Sequence, residues 1–448
     1  MMKRRNLFFT ALLTASATLS AQDGKTWTLE DCINYALEKN IQLQQDKISL
    51  QETEEDVKNA KSALFPSLSF NTGHNLVNRP YQENSATVNG TEIISSSRNT
   101  TYNGSYSLSA QWTLWNGNKR LNNLKQQKKN RDIAQLTVAE TENELKEQIA
   151  QLFIQILYAD ESIQINKGTL EVSKATCERA RTLFEEGSIS KADLAQLEAQ
   201  ASNDQYQVVT AESTLRNYKL QLKQLLELDG TAEMELKLPE LSDEHVMELL
   251  PSQADVYRTA LASRPEIQSG KLNVDNAKLN ISYAKAGYMP TISLSASTSS
   301  TTNNASQNNW AQQMKYGWNN MIGISLSIPI FDQRQTKSAV RKAKLQYSAS
   351  QLNLMTQEKE LYATVEELYL NALNAQQQFA AAEAKVESSQ TSYDMTSEQF
   401  NLGMKNTVEL LTEKNNLLSA KQEQIQAKYM AILNRTLLNF YAGKEIKL

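Results

Sequence analysis

The side chains that most often perform catalysis or bind metals are rare in this sequence. It contains two histidines, His74 and His245, and two cysteines, Cys32 and Cys177. None of them shows the short spacing of a metal-binding or redox motif, and the sequence has no GxxxxGK phosphate-binding loop. Asp and Glu are abundant, but nothing in their spacing singles out a catalytic pair. We therefore predict that the protein is not an enzyme and has no catalytic residues, no cofactor and no metal site.

Two clusters of basic residues are the other candidates for binding chemistry, because clustered positive charge attracts anionic partners. Each cluster lies near the start of a predicted long helix. Positive charge at that position opposes the helix dipole, so local helix stability does not explain the clusters. The net charge of the whole chain is -4, which disfavours nucleic acid as the partner. Anionic lipid headgroups are our hypothesis, and a solvated helix face remains the alternative. The clusters are Lys119, Arg120, Lys125, Lys128, Lys129 and Arg131, and Arg334, Lys337, Arg341, Lys342 and Lys344.

The chain that positions these clusters is a tandem repeat. Gly187 and Gly403 each follow a long helical pattern and precede a second one, and the capping pattern "TLED" of the first half recurs as "SQAD" in the second. Each repeat has the pattern of a helix of about 35 residues, a strand, a polar loop, a strand, a very long helix, a glycine turn and another long helix. We predict a first repeat at residues 22–230, a connector at 231–251 and a second repeat at 252–448.

The helical segments are too long for a globular domain. The segment from about Asn118 to Glu186 would extend for roughly 100 Å. The helix after each glycine turn has apolar residues at every seventh position, which is the pattern of a coiled-coil seam. We therefore expect two antiparallel hairpins that turn at Gly187 and Gly403. The seam residues are Leu194, Ala201, Val208, Leu215 and Leu222 in the first repeat, and Leu411, Leu418, Ile425 and Ile432 in the second.

Four segments alternate apolar and small polar residues, which predicts strands. In "SYSLSAQWTLW", Leu108, Ala110 and Trp112 fall on one side and serines on the other. A strand with lipid on one side and water on the other needs these two faces, although a half-buried soluble sheet shows the same alternation. Trp112 and Trp115 lie near one strand end and predict an aromatic belt. The loops at the other end are rich in Asn, Ser and Thr and are expected to be solvated.

The first residues of the chain predict export. Residues 1–21 combine basic residues with a short apolar run and small residues, which is the pattern of a signal peptide. The apolar run is too short to span a bilayer, so a membrane crossing has to use the strands. Four strands cannot close a membrane barrel. Two chains would give eight strands around an interior filled by side chains, whereas three chains would give twelve strands around a channel, so we predict a homotrimer.

The sequence resembles the TolC-like outer-membrane efflux proteins over essentially the whole chain after residue 21. The resemblance rests on the paired tip sequences "FEEGSISKADL" and "FNLGMKNTVEL", on "ALASRPE", on Pro66 and Pro290, and on "LWNGNKR" and "PIFDQRQ". It implies a mainly α fold with membrane β structure. Long antiparallel helical hairpins from three chains would form a helical barrel, continuous with a twelve-stranded β-barrel that takes four strands from each chain. One departure is Ile41, where the second repeat has Pro265.

The resemblance also implies a function and a location. Such a protein is a passive exit duct in the outer membrane, for efflux or type I secretion, with its helical part in the periplasm. Its partners would be a periplasmic adaptor protein, an inner-membrane pump of the RND, ABC or a similar class, and outer-membrane lipid. The adaptor would dock on the hairpin tips, at Gly187, Ser188, Gly403 and Met404.

In this family, charged residues beside the tips narrow and hold the periplasmic entrance. The resemblance places Asp193, Lys405 and Glu409 at such positions, and we expect an ion pair between Asp193 and Lys405. Thr412 stands where the family has a second acid, and Phe400 lacks the hydroxyl of a tyrosine, so the gate would be held mainly by charge. For each residue alone, an exposed charge near a helix start is an equal explanation.

Two other classes of protein remain open. A structural or adhesive surface protein with a barrel anchor would have parallel trimeric coiled coils rather than duplicated antiparallel hairpins. A periplasmic scaffold would be soluble without detergent. The duplicated hairpins lead us to favour the exit duct.

Overall fold

The computed structural model describes residues 26–80, 86–89, 92–95, 100–229, 234–239, 243 and 246–447. The predicted signal peptide and His245 lie outside these residues, and the connector and the first polar loop lie only partly within them. From residue 26 to 229 the elements are β1 (Thr26–Trp27), α1 (Leu29–Lys39), α2 (Ile41–Ser62), β2 (Ser67–Asn78), β3 (Ala86–Asn89), β4 (Glu92–Ser95), β5 (Thr100–Trp115), α3 (Lys119–Glu185) and α4 (Lys191–Leu225). From residue 234 to 447 they are β6 (Glu235–Leu236), α5 (Gln253–Ser263), α6 (Pro265–Lys285), β7 (Thr291–Asn303), α7 (Trp310–Tyr316), β8 (Asn319–Ser327), α8 (Gln335–Asn401) and α9 (Thr407–Tyr441).

The long helices have identical lengths in the two halves of the chain. Helices α3 and α8 have 67 residues each, and α4 and α9 have 35 residues each. A helix of 67 residues is about 100 Å long. The partners α3 and α4, and likewise α8 and α9, pack along each other, with Val208, Leu222, Ile425 and Ile432 of the predicted seams buried. The two predicted antiparallel hairpins are confirmed.

The prediction of one continuous helix before the first strand of each repeat is wrong. Helix α1 ends and α2 begins at Asn40, and α5 and α6 meet in the same way at Arg264. The side chain of Asn40 accepts a hydrogen bond from the amide of Leu43 at 3.1 Å, which starts a new helix. In the second half Pro265 has no amide hydrogen to continue the previous helix, and it suits a first helical position. Different residues therefore produce the same break.

The predicted helix caps are confirmed only in part. Thr28 and Asp31 form the capping box of "TLED", whereas the serine of "SQAD" makes no side-chain cap bond. Asn116 and Asp332, whose residue types suit a helix cap, lie two residues before the observed N-cap positions of α3 and α8. Their side chains nevertheless accept hydrogen bonds from the amides four residues later, at 3.3 and 2.8 Å. These two residues precede the helices, but their side chains provide acceptors for backbone amides of the first helical turn.

The predicted four strands form one antiparallel sheet in the order β2-β5-β7-β8. The pairing of β5 with β7, which begins at Asn103 and Asn303, joins the two halves of the chain. Strands β2 and β8 each have one edge with no partner strand among the described residues. In addition, β1 and β6 form a short parallel pair, and β3 and β4 form a short antiparallel pair within the first polar loop.

The largest apolar core lies midway along the hairpins. Phe153 of α3 packs there with Leu222 of α4, Ile432 of α9 and Cys32 of α1. The side chains of Cys32 and Cys177 are both buried. None of the helices in the described part of the chain combines the length and the hydropathy of a membrane span.

Candidate functional site

The two hairpin tips have the same backbone structure. Gly187 has a φ of +75° and Gly403 a φ of +71°, the left-handed conformation that glycine adopts without strain. The amide of Ser188 donates to the carbonyl of Leu183 at 2.8 Å, and the corresponding bond at the second tip is 2.9 Å. This bond is the Schellman motif that closes a helix end. The predicted docking residues Gly187, Ser188, Gly403 and Met404 are all exposed.

A capping box begins the returning helix at each tip. The amide of Asp193 donates to Ser190 Oγ at 3.1 Å, and the amide of Ser190 donates to Asp193 Oδ2 at 3.2 Å. Asn406 and Glu409 exchange the same two bonds at 2.9 and 3.1 Å. Hydrogen bonds from the hydroxyl of Ser190 and then of Thr407 hold the pKa of Asp193 below its usual value. Asp193 and Glu409 are therefore equivalent residues, and each satisfies the amides of a helix start.

The predicted ion pair between Asp193 and Lys405 does not form within the chain. Nζ of Lys405 lies 2.6 Å from Oε1 of Glu409, which is four residues later on the same turn. Hydrogen bonds from Lys405 and from the amide of Asn406 hold the pKa of Glu409 below its usual value. Within the chain Lys405 pairs with Glu409 instead, because residues four apart at a helix start are direct neighbours. A pair between Asp193 and Lys405 of different chains stays a prediction.

A small apolar cluster behind the tips joins the two hairpins. Ala180 and Leu197 of the first hairpin pack with Phe400, Leu410 and Leu411 of the second. Phe400 is only 6% exposed. Its ring therefore contributes packing, and the absence of a tyrosine hydroxyl at this position is explained by its apolar surroundings.

A buried polar cluster, which our sequence analysis missed, also joins the hairpins. We refer to Ser173, Gln200, Asp204 and Lys414 as the polar clasp. The ammonium of Lys414 on α9 donates to Asp204 on α4 and to Ser173 on α3, and Gln200 Nε2 donates to the second carboxylate oxygen of Asp204 at 2.9 Å. The side chains of Lys414 and Asp204 are 7% and 2% exposed. The only sign of this cluster in the sequence is a lysine among the buried positions of α9. Its partner Asp204 is 210 residues away, so no local pattern connects the two.

The strand-to-helix corners at the other end of the hairpins also have equivalent backbones. Gly117 and Asn118, with φ of +66° and +65°, connect β5 to α3. Gln333 and Arg334, with φ of +52° and +66°, connect β8 to α8. The left-handed conformation costs a residue with a side chain roughly 1–2 kcal/mol of conformational free energy. The second corner has a side chain at both positions, so contacts with its surroundings must hold it in this conformation.

The predicted aromatic belt lies just before these corners. Trp112 donates from its indole Nε1 to the carbonyl of Leu64 at 2.8 Å, which connects β5 to the turn that follows α2. Trp112 and Trp115 are each 37% exposed. Phe331 is the counterpart of Trp115 in the second repeat and is 83% exposed. Sequence analysis missed this third ring, although the offset that relates Gly187 to Gly403 was enough to find it.

One face of the sheet is apolar and largely exposed, and the other is lined by small polar residues. The pairings place the apolar alternates of all four strands on the same face. They include Leu68, Phe70, Leu108, Trp112, Ile322, Ile324 and Leu326, all of them exposed. Such a face suits contact with hydrocarbon, and the serine-rich face suits water.

The two basic clusters differ in the structure. In the first, Lys129 forms an ion pair with Asp275 at 3.0 Å, and Lys119 lies 4.9 Å from the ring centre of Tyr283. The five basic residues of the second cluster are exposed. Lipid contact therefore stays a hypothesis, and the second cluster is the better candidate for it.

Helical hairpins of this length, joined to an antiparallel sheet with one largely exposed apolar face, define a channel protein of the outer membrane. The chain matches the family described as "Outer membrane efflux protein" over residues 32–227 and 256–444, and it belongs to that family. It is thus an efflux protein of the outer membrane. Its relatives are transport proteins, which agrees with the prediction that it is not an enzyme and does not support the adhesive alternative.

The individual relatives have low sequence identity to this chain, but their alignments cover most of its length. "Alkaline protease secretion protein AprF" of Pseudomonas aeruginosa is 26% identical over 302 residues, which cover 67% of this chain and 61% of AprF. "Outer membrane efflux protein BepC" of Brucella suis is 22% identical over 97% of this chain and 90% of BepC. The solved structure of CusC superposes with a TM-score of 0.79 at 17% identity, covering 93% of this chain and 92% of CusC. That of VceC from Vibrio cholerae gives 0.79 at 14% identity over 94% and 97%.

Proposed function

We propose that three copies of the chain close into one duct. Twelve strands would form a membrane β-barrel, and six hairpins would continue it as a helical tube across the periplasm. The observation that carries the proposal is the open sheet: in the described part of the chain, β2 and β8 each have one edge without a partner strand, and one face is apolar and exposed. An unpaired strand edge in lipid costs several kcal/mol for each unsatisfied backbone group, so the edges must pair between chains.

The small polar face of the sheet supports three copies rather than two. An eight-stranded barrel is just wide enough for side chains to fill its interior. The inward face of this sheet carries mainly serine, threonine and asparagine, among them Ser107, Ser109, Ser295 and Ser297. Such short side chains would leave an interior of eight strands poorly filled, whereas in twelve strands they would line a water-filled pore.

The proposed partners are a periplasmic adaptor at the hairpin tips and an inner-membrane pump of the RND, ABC or a similar class. The relatives are named for protease secretion, for cobalt, zinc and cadmium resistance, and for toxin and drug export. Because these cargoes share no chemistry, the common part is the duct, and the partners would supply energy and choice of cargo. The exposed tip residues Gly187, Ser188, Gly403 and Met404 are the proposed docking surface.

Size and conductance together test the duct. The purified protein is expected to have the mass of three chains in mild detergent and to produce stepwise ion currents after reconstitution into a planar bilayer. A monomer in mild detergent, or a trimer that carries no current, would contradict the proposal. Solubility of the protein without detergent would favour a periplasmic scaffold instead.

We also propose that Asp193, Lys405 and Glu409 line a charged gate at the periplasmic entrance. All three lie at the tips, and the pair between Lys405 and Glu409 places opposite charges beside each other in every chain. In a trimer, three copies of this pair would surround one axis. Thr412 is exposed and uncharged, so the proposed ring has fewer acids than a gate with two acidic positions.

Lys405→Glu is expected to raise the single-channel conductance. The substitution replaces an attraction to Glu409 with repulsion between carboxylates, both within a chain and around the proposed axis. Current would be measured in planar bilayers at low salt, where screening is weak. Lys191→Glu is the matched control, because it makes the same charge change at the exposed first residue of α4. Equal conductance of the two variants and the unmodified channel would count against the gate.

A further inference from the structure

The polar loop between β7 and β8, which its composition predicts to be solvated, contains a short helix. Residues Trp310–Tyr316 form α7, whose N-cap Asn309 makes a complete capping box. The hydroxyl of Ser300 on β7 donates to the carbonyl of Met314 at 3.0 Å, and the amide of Asn303 donates to Gln313 Oε1 at 2.7 Å. These bonds fix the helix to strand β7.

Helix α7 lies on the apolar face of the sheet. Ser300 alternates with Ala296 and Leu294, so its side chain is on the same face as theirs. Trp310 contacts the ring of Tyr106 edge-on, with the ring centres 6.2 Å apart, and Tyr106 shares its face with Leu108. A helix that belonged to the lumen would contact the serines of the opposite face. Helix α7 therefore covers the outer side of the sheet, at the end away from the hairpins.

Aromatic rings are concentrated around this helix. His74 stacks on Tyr102, with the ring centres 5.9 Å apart, and also meets Tyr106 edge-on at 5.3 Å. Trp310, Tyr316 and Trp318 are 57%, 70% and 65% exposed. Lys315 lies exposed between them in sequence. Exposed rings with a polar end, beside a basic residue, are the side chains that accumulate at the boundary between lipid and water.

The spacing between this cluster and the first belt matches a membrane. Trp115 and Tyr106 are nine residues apart on β5. That separation is about 30 Å along the strand, or about 23 Å across a membrane at a tilt of about 40°. The outward apolar band of a membrane β-barrel is about 25 Å tall and has aromatic residues at both boundaries. Leu68, Phe70, Leu108, Ile322 and Ile324 of the apolar face lie between the two clusters.

We propose that Tyr102, Tyr106, Trp310, Tyr316 and Trp318 form a second aromatic girdle, which α7 holds against lipid headgroups at the outer surface of the membrane. Lys315 is placed to pair with headgroup phosphate. The proposal rests on the proposed barrel, because the apolar face of the sheet must face lipid. Lipid is the occupant because the girdle continues the apolar face on the same side and ends in exposed rings and a positive charge.

Tryptophan quenching in vesicles tests this proposal. The full-length protein would be reconstituted into phosphatidylcholine vesicles that carry a nitroxide either at the headgroup or near the end of the acyl chain. The variant Trp112→Phe with Trp115→Phe keeps Trp310 and Trp318, and Trp27, buried among the helices, adds a background that is not quenched. The headgroup nitroxide is expected to quench this variant more than the deep nitroxide does, and aqueous iodide is expected to quench it weakly.

A second variant separates this proposal from the proposed function. Trp310→Phe with Trp318→Phe keeps the first belt, so quenching of this variant by lipid nitroxides reports that the sheet has inserted. If the belt is quenched by lipid while the α7 tryptophans respond only to iodide, the loop is solvated and the girdle is wrong. If neither the lipid nitroxides nor iodide quench the α7 tryptophans, other parts of the protein cover them and the girdle is also wrong. If no tryptophan of either variant responds to lipid, both the barrel and the girdle are wrong.

Discussion

Replacing Lys414 with methionine is expected to lower the free energy of unfolding of the paired hairpins by about 3–5 kcal/mol. Asp204, 2% exposed, would keep its buried charge and lose the ammonium that neutralises it. Ser173 and Gln200 can still donate hydrogen bonds to it, but neither carries a charge. Loss of helical circular dichroism in a urea titration of the full-length protein in detergent would measure the change.

Two controls test whether the loss of stability comes from leaving a buried charge without its partner. Lys385→Met breaks a pair with Glu423 that also joins two helices, but the two side chains are 47% and 50% exposed, so we expect a loss below about 1 kcal/mol. The double variant Lys414→Met with Asp204→Leu removes both buried charges and is expected to recover most of the stability. Similar small losses for Lys414→Met and Lys385→Met would show that the polar clasp contributes little.

Gly117→Ala is expected to destabilise the protein by about 2–5 kcal/mol, the sum of about 1–2 for the left-handed backbone and about 1–3 for overpacking. A Cβ at this corner would lie 2.6 Å from Cβ of Met289 and 3.1 Å from the carbonyl oxygen of Ala286. Neither atom is the end of a flexible side chain, so the backbone before β7 would have to move. The same urea titration, together with the yield of assembled protein, would measure the effect.

The matched control for this substitution is Gly187→Ala at the hairpin tip. Gly187 has a similar φ of +75°, but a Cβ there would meet nothing within 4 Å. Only the backbone cost of about 1–2 kcal/mol is therefore expected. Gln333, the counterpart of Gly117, already carries a side chain at positive φ, which shows that close contact rather than conformation makes the first corner sensitive. Equal losses for the two alanine variants would refute this explanation.

Regular elements could be predicted from the sequence because their signals are local and repeated. Periodicity of seven along α4 and α9 predicted the hairpins, alternation of two predicted the four strands, and the recurrence of the glycine turn related the tips to each other. The break at Asn40 was missed because one asparagine inside a helical pattern does not distinguish a cap from an exposed surface residue. The limits of the two repeats and of the connector remain predictions.

Features that depend on distant partners could not be predicted. The polar clasp joins Lys414 to a residue on the other hairpin, and no sequence pattern relates positions so far apart. Helix α7 is short and lies among polar residues. Its position on the sheet depends on a hydrogen bond from the distant residue Ser300. Within one chain Lys405 pairs with Glu409 rather than with Asp193, since Glu409 is a neighbour on the same turn. The gate and the docking surface rest on family resemblance and exposure.

The two hairpin tips have a consequence for how a partner could associate with them. Each tip satisfies its helix-end amides and carbonyls with its own glycine turn and capping box, so its shape is already set in a single chain. A protein that associates with such preorganised loops does not have to order them, and loop ordering is one of the main entropic costs of association. Even a small contact at each tip could then hold a complex together, and contacts repeated around a ring would add through avidity rather than through area.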